Sequence, residues 1–118
     1  MPSLNYKKQF AGKVESGEKR QTIRARRKDG KDPRPGQTLY HFYGLRTKYC
    51  RKLREDVCKS TEAITIEGRH NVVVGTITLS LAAETNLANA DGFYTSIEFF
   101  DFFEKTHGFP FHGLIIKW

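Results

Sequence analysis

The sequence predicts an α+β domain: a small β-barrel of about six strands with short helices covering its ends. Three observations lead there. Period-two segments recur along the chain, with about three short helical stretches between them. The two kinds of segment do not alternate regularly, which argues against a doubly wound parallel sheet. At 118 residues the chain has room for one core, so residues 1–118 read as a single domain.

Taken in order, Leu4 to Phe10 alternates loosely and fits a first strand. Phe10 to Gly17 reads as a short helix, with Phe10 and Val14 on one face and Gly17 suited to the left-handed position past its end. Gln21 to Arg26 alternates again, placing Thr22, Arg24 and Arg26 on one side and Ile23 and Ala25 on the other, toward the core. Arg27 to Gly36 is a loop, because Asp29-Gly30, Asp32-Pro33 and Pro35-Gly36 are all turn pairs. Thr38 to Tyr43 is a strand ending at Gly44. Leu45 to Arg54 reads as a loop with one irregular or helical turn, since Leu45, Tyr49 and Leu53 share a helical side at spacing four. Thr61 to Ile66 and Val72 to Leu79 are strands, the second carrying Gly75 as a sign of a bulge or close packing. Leu81 to Ala90 is helical or turn-rich. Thr95 and Glu98 form a capping box that opens a helix to Thr106. Ile97, Phe99, Phe100, Phe102 and Phe103 cover much of that helix, so it should be heavily buried. Phe111 to Trp118 is the last strand.

Composition narrows the function classes. The longest apolar runs fall well short of the roughly 18 residues a membrane helix needs, so no membrane partner is expected. Met1 to Lys7 has no apolar signal region, and a cytoplasmic protein is the default. Cys50 and Cys58 then read as reduced thiols. His41 and His70 show no ligand spacing with them, so neither a metal nor another cofactor is expected. A monomer is favoured. The net charge of +7 is uneven: residues 1–54 hold 16 Lys/Arg against four Asp/Glu, while residues 55–118 hold four against nine. A half at +12 suggests a surface that faces a polyanion.

The stretch Gly17 to Arg24 carries the candidate chemistry. Lys19 stands three residues before Thr22, and Arg24 two beyond it. Threonine is a nucleophile only if a base takes its proton, and a lysine with a depressed pKa can do so. An acid would orient that lysine or shuttle a proton; Asp91, Glu84 and Glu98 are the candidates, with Asp91 foremost. The same residues also fit an ordinary strand with a solvated lysine. Arg24 and Arg26 can grip a phosphate or carboxylate, or pair with Asp29 or Asp32. Arg46, Lys48, Arg51 and Lys52 can track a nucleic-acid backbone with Tyr43 or Tyr49 stacking on a base, or form an exposed basic loop over packed tyrosines.

Gly17-Glu18-Lys19-Arg20-Gln21-Thr22-Ile23-Arg24, then Pro35-Gly36-Gln37-Thr38-Leu39, then Arg46-Thr47-Lys48, resembles the ASCH domain of the PUA-like superfamily. Asp91-Gly92-Phe93 followed by Glu98-Phe99-Phe100 resembles its C-terminal part. The resemblance implies a PUA-like β-barrel with a cleft and RNA-related binding as the usual conjecture. Some small bacterial ASCH proteins remove the acetyl group from N4-acetylcytidine. For this chain that implies Thr22 as nucleophile, Lys19 as its activator and Arg24 beside them. Where those hydrolases carry a glutamate, the best-matching position here is Asp91, one carbon shorter.

Two functions are therefore expected. One is binding of nucleic acid, RNA in particular, through a basic cleft. The other is hydrolysis of an acylated nucleoside by Lys19, Thr22 and Asp91.

Overall fold

In the computed structural model, which describes residues 2–118, the chain runs β1 (Ser3–Tyr6), α1 (Lys8–Ser16), β2 (Gln21–Ala25), β3 (Thr38–Tyr43), β4 (Arg51–Val57), β5 (Ser60–Gly68), β6 (Asn71–Val74), β7 (Ile77–Thr78), α2 (Leu81–Ala90), α3 (Ser96–Thr106) and β8 (Phe111–Lys117). The α+β class is as expected. The strands form two sheets, one ordered β1-β3-β4 and the other β2-β8-β5-β6-β7. β1 runs parallel to β3, and every other pairing is antiparallel.

β8 lies between β2 and β5, so both of its edges are hydrogen-bonded. Gly113 to Ile116 are buried without interruption, which fits a strand covered on both faces rather than one. α3 contributes Phe99, Phe100 and Phe103 to the core. Each such side chain stabilises the fold by about 1.5–3 kcal/mol through burial. The Thr95 hydroxyl accepts from the Glu98 N–H at 3.1 Å, as the capping box predicts.

Four sequence expectations need correction. Eight strands form where about six are read from alternation. One addition is β4, in the stretch read as an irregular or helical turn. Leu45, Tyr49 and Leu53 do not share a helix: Leu53 is buried on β4, while Tyr49 is 68% exposed in the loop before it. β4 pairs with β3 alone, and an edge strand tolerates the charged side chains that hide its pattern. The other addition comes from Gly75, which divides the expected Val72–Leu79 strand into β6 and β7. Its φ of +62° makes a turn there, and an added Cβ would meet nothing within 4 Å, so conformation and not close packing requires glycine. Third, the chain leaves β1 at Tyr6 and is helical from Lys8, two residues before Phe10. Fourth, Ile97 is 64% exposed, because α3 turns Phe99, Phe100 and Phe103 inward and leaves its first turn outside. Cys50 and Cys58 are unbridged, one exposed and one buried. Among the described residues, no helix is long and apolar enough to cross a membrane.

Candidate active site

α1 ends at Gly17, whose φ of +87° reverses the chain. The Lys19 N–H then donates to the Lys13 carbonyl at 3.0 Å, which aims the Lys19 side chain inward ahead of β2. Lys19 is 2% exposed. Its Nζ lies 3.2 Å from Asp91 Oδ1, donates to the Asp91 backbone carbonyl, and sits 4.9 Å from the centre of the Phe10 ring. The approach to Oδ1 is an ion-pair contact outside hydrogen-bond alignment.

Asp91 is placed by α2. It follows the helix directly, its N–H donates to the Leu87 carbonyl at 3.0 Å, and it is 4% exposed. The C-terminal end of a helix carries partial negative charge. That end meets two lysines, because Lys13 Nζ also donates to the Gly92 carbonyl at 2.8 Å. Asp91 does not cap α3; Thr95 does that.

Burial lowers the Lys19 pKa from its usual 10.5, opposed in part by the Asp91 charge. Burial likewise raises the Asp91 pKa, opposed first by Lys19. Burial thus works against the charged form of both groups, and their mutual attraction works for it.

Thr22 and Arg24 extend from β2 beside this pair. Thr22 is opposite Ile116 and Arg24 opposite Leu114 in the ladder with β8. Arg24 Nε donates to Thr22 Oγ1 at 3.0 Å, and the other arm of the guanidinium donates to the Asn5 carbonyl at 2.7 Å. Lys19, Thr22, Arg24 and Asp91 all line one cavity of about 230 Å³ with aromatic walls that include Phe10, Phe93 and Phe102. That is below the roughly 300–1,000 Å³ of sites for drug-sized ligands, and suits a ligand of one ring and its substituents. No hydrogen bond joins Lys19 to Thr22 among the described residues.

The other predicted residues lie elsewhere. Arg26 is exposed beyond the end of β2, off the cavity wall, so the shared face with Thr22 and Arg24 stops at Arg24. Tyr43, at the end of β3, packs half-buried against the core. Arg46 and Lys48 are exposed on the loop that links β3 to β4, with Lys48 against the Tyr49 ring. Arg51 pairs with Glu15 and Lys52 with Glu55, both on the surface. Neither Asp29 nor Asp32 takes Arg24; Asp32 accepts from the Arg27 N–H instead. Glu84 is buried against His70 at 2.8 Å, and Glu98 is exposed on α3, so neither reaches Lys19.

Sequence reasoning missed Tyr6, His41 and Asp56, which form a polar row beside Arg24, with Tyr6 and His41 buried and Asp56 partly so. Period two does place His41 on the buried side of β3 with Leu39, which is an available signal. Asp56 gives none, because β4 itself is not legible. Among the described residues, no three His, Cys, Asp or Glu side chains gather as a metal site.

Compared with known proteins, no family model, no curated protein and no solved structure matches this chain.

Proposed function

We propose that the chain is an amidohydrolase of the ASCH, PUA-like kind that removes the acyl group from an acylated nucleoside such as N4-acetylcytidine. One observation carries this reading. A buried Lys19–Asp91 pair shares a base-sized cavity with the Thr22 hydroxyl and the Arg24 guanidinium. A solvated lysine beside an ordinary strand threonine has no such partners.

The chemistry follows from those groups. Asp91 draws the proton from Lys19, leaving an amine that takes the Thr22 hydroxyl proton as Oγ bonds to the acyl carbon. Arg24 and nearby N–H groups hold the oxyanion. The carbon–nitrogen bond then breaks as Lys19 returns the proton to the departing amine. The free Lys19 amine takes a proton from the water that adds to the acyl-threonine ester and passes it to Thr22 Oγ as the ester bond breaks, so acetic acid leaves with the Thr22 hydroxyl restored. The Lys19–Thr22 hydrogen bond has to form with substrate in place, as catalytic hydrogen bonds commonly do.

Incubation with N4-acetylcytidine should release cytidine, resolved by chromatography. Thr22→Ala should lower the rate by at least about 10³-fold. The wild-type rate should rise with pH through an apparent pKa below 10.5, because burial lowers that of Lys19, and Lys19→Met should abolish the rise. No cytidine, or full activity in Thr22→Ala, would overturn the assignment.

A second observation favours RNA as the context of that nucleoside. Asn5 lines the cavity, and its side chain accepts from the Leu45 N–H at 3.0 Å. This ties the loop bearing Arg46 and Lys48 to the cavity. Arg46→Glu with Lys48→Glu should weaken RNA binding about tenfold at low salt and flatten its salt dependence. An unchanged salt slope in a filter-binding titration would remove the RNA reading and leave the hydrolase intact.

A further inference from the structure

The proposed chemistry leaves the row beside Arg24 unused. Tyr6 lines the cavity, and its hydroxyl is 2.9 Å from His41 Nδ1. His41 is fully buried, and its Nε2 is 3.3 Å from Asp56 Oδ2. Asp56 is gripped by Arg54, with Nε 2.7 Å from Oδ2 and the second arm donating to Oδ1 at 3.1 Å.

The tautomer of His41 follows. A carboxylate only accepts hydrogen bonds. The Nε2 contact is long and not aligned as a hydrogen bond. Even so, a negative charge there disfavours a lone pair on Nε2, so the ring proton belongs on that nitrogen. Nδ1 then carries the lone pair, and the Tyr6 hydroxyl must donate to it. Burial lowers the His41 pKa to about 4, so the ring stays neutral near pH 7. Burial also raises the Tyr6 pKa, so Tyr6 stays a phenol. With its one proton committed, the Tyr6 oxygen offers only lone pairs. Arg24, 4.8 Å above the Tyr6 ring, offers only donors. Tyr6 and Arg24 both line the cavity, so this acceptor and this donor belong to neighbouring residues of one wall.

We propose that Tyr6, oriented by His41 and Asp56, is the specificity-determining acceptor that reads an N–H on the ligand while Arg24 reads a neighbouring carbonyl or ring nitrogen. The ligand class is a neutral secondary amide or aminoheterocycle with N–H beside an acceptor. The inference rests on the amidohydrolase reading for the kind of ligand the cavity takes.

The experiment measures binding, by calorimetry, in Thr22→Ala so that turnover does not intrude. The probes are N4-acetylcytidine and N4-acetyl-N4-methylcytidine, which lacks the amide N–H. The N–H ligand should bind at least about tenfold tighter. Adding Tyr6→Phe should bring the two within about twofold. Asp56→Asn keeps the Tyr6 hydroxyl but releases the His41 tautomer, and should narrow the preference as well. If Tyr6→Phe loses its cooperative unfolding transition, the Asp56→Asn result decides. No preference in Thr22→Ala, a preference unchanged by these substitutions, or no binding of either probe overturns the inference. Preference without cytidine release from wild type would sink hydrolysis and leave the Tyr6 role standing. Cytidine release with a preference indifferent to Tyr6 would do the reverse.

Discussion

Asp91→Ala is expected to cost about 3–5 kcal/mol of folding stability, because it leaves the Lys19 ammonium buried without its counter-charge. The loss should appear as a lower denaturant midpoint at unchanged slope. The cause is the stranded charge and not the lost contact, so Lys19→Met with Asp91→Ala should recover much of it. A double variant as unstable as Asp91→Ala alone would show that Asp91 stabilises the fold in another way, for instance through its place at the end of α2.

The same substitution makes a signed pH prediction. The Lys19 pKa is lowered in the folded protein, and removing Asp91 removes the group that chiefly opposes this. Between the folded pKa and 10.5, the unfolded chain binds the Lys19 proton more fully than the native state does. Stability therefore rises with pH across that window. Raising the pH from about 7 to about 9 should restore part of the stability of Asp91→Ala. A loss that is flat with pH would mean that solvent reaches Lys19 in the variant and that the wild-type pair is not sealed.

How much of this was legible depends on the range of the signal. Lys19, Thr22 and Arg24 lie within six residues, and strand alternation alone puts Thr22 and Arg24 on one side. The capping box at Thr95 and the glycine at Gly17 are local as well, and α3 begins and α1 ends where they indicate. Asp91 is 72 residues from Lys19, and nothing in its neighbourhood distinguishes it from Glu84 or Glu98 except the turn it begins. Only the tertiary contacts of Lys13 and Lys19 with the residues just past α2 select it. β4 was illegible for a different reason. As an edge strand it buries Leu53 and sends Arg51, Lys52 and Glu55 to solvent, so no apolar period survives. The Tyr6–His41–Asp56 row falls with it, because its last member stands on that strand. Ile97 shows the opposite failure: an apolar residue at a helical spacing that the fold leaves outside.

Gly113→Ala should be the most damaging single methyl group in the chain. A Cβ there would lie 2.3 Å from the Arg24 carbonyl oxygen and 2.8 Å from Phe111 Cζ. The first clash is with the backbone of β2, directly across the ladder from β8, and no rotamer change relieves it. The strands must separate or slip, which should cost about 3 kcal/mol or more, above the usual range for overpacking. Gly12→Ala is the control, since a Cβ at that helical position meets nothing within 4 Å. It should stabilise α1 by about 0.5–1 kcal/mol. The damage at Gly113 should also reach the chemistry. Thr22 and Arg24 hold their places through the same ladder, and a shift of about 1 Å at a catalytic group can cost on the order of 100-fold in rate. Residual folded Gly113→Ala, assayed at low temperature, should therefore show a fall in kcat beyond its folded fraction. A variant that loses stability but keeps full kcat per folded molecule would place the control of Thr22 and Arg24 elsewhere, in the Arg24 contacts to Asn5 and Tyr6 rather than in the strand beneath them.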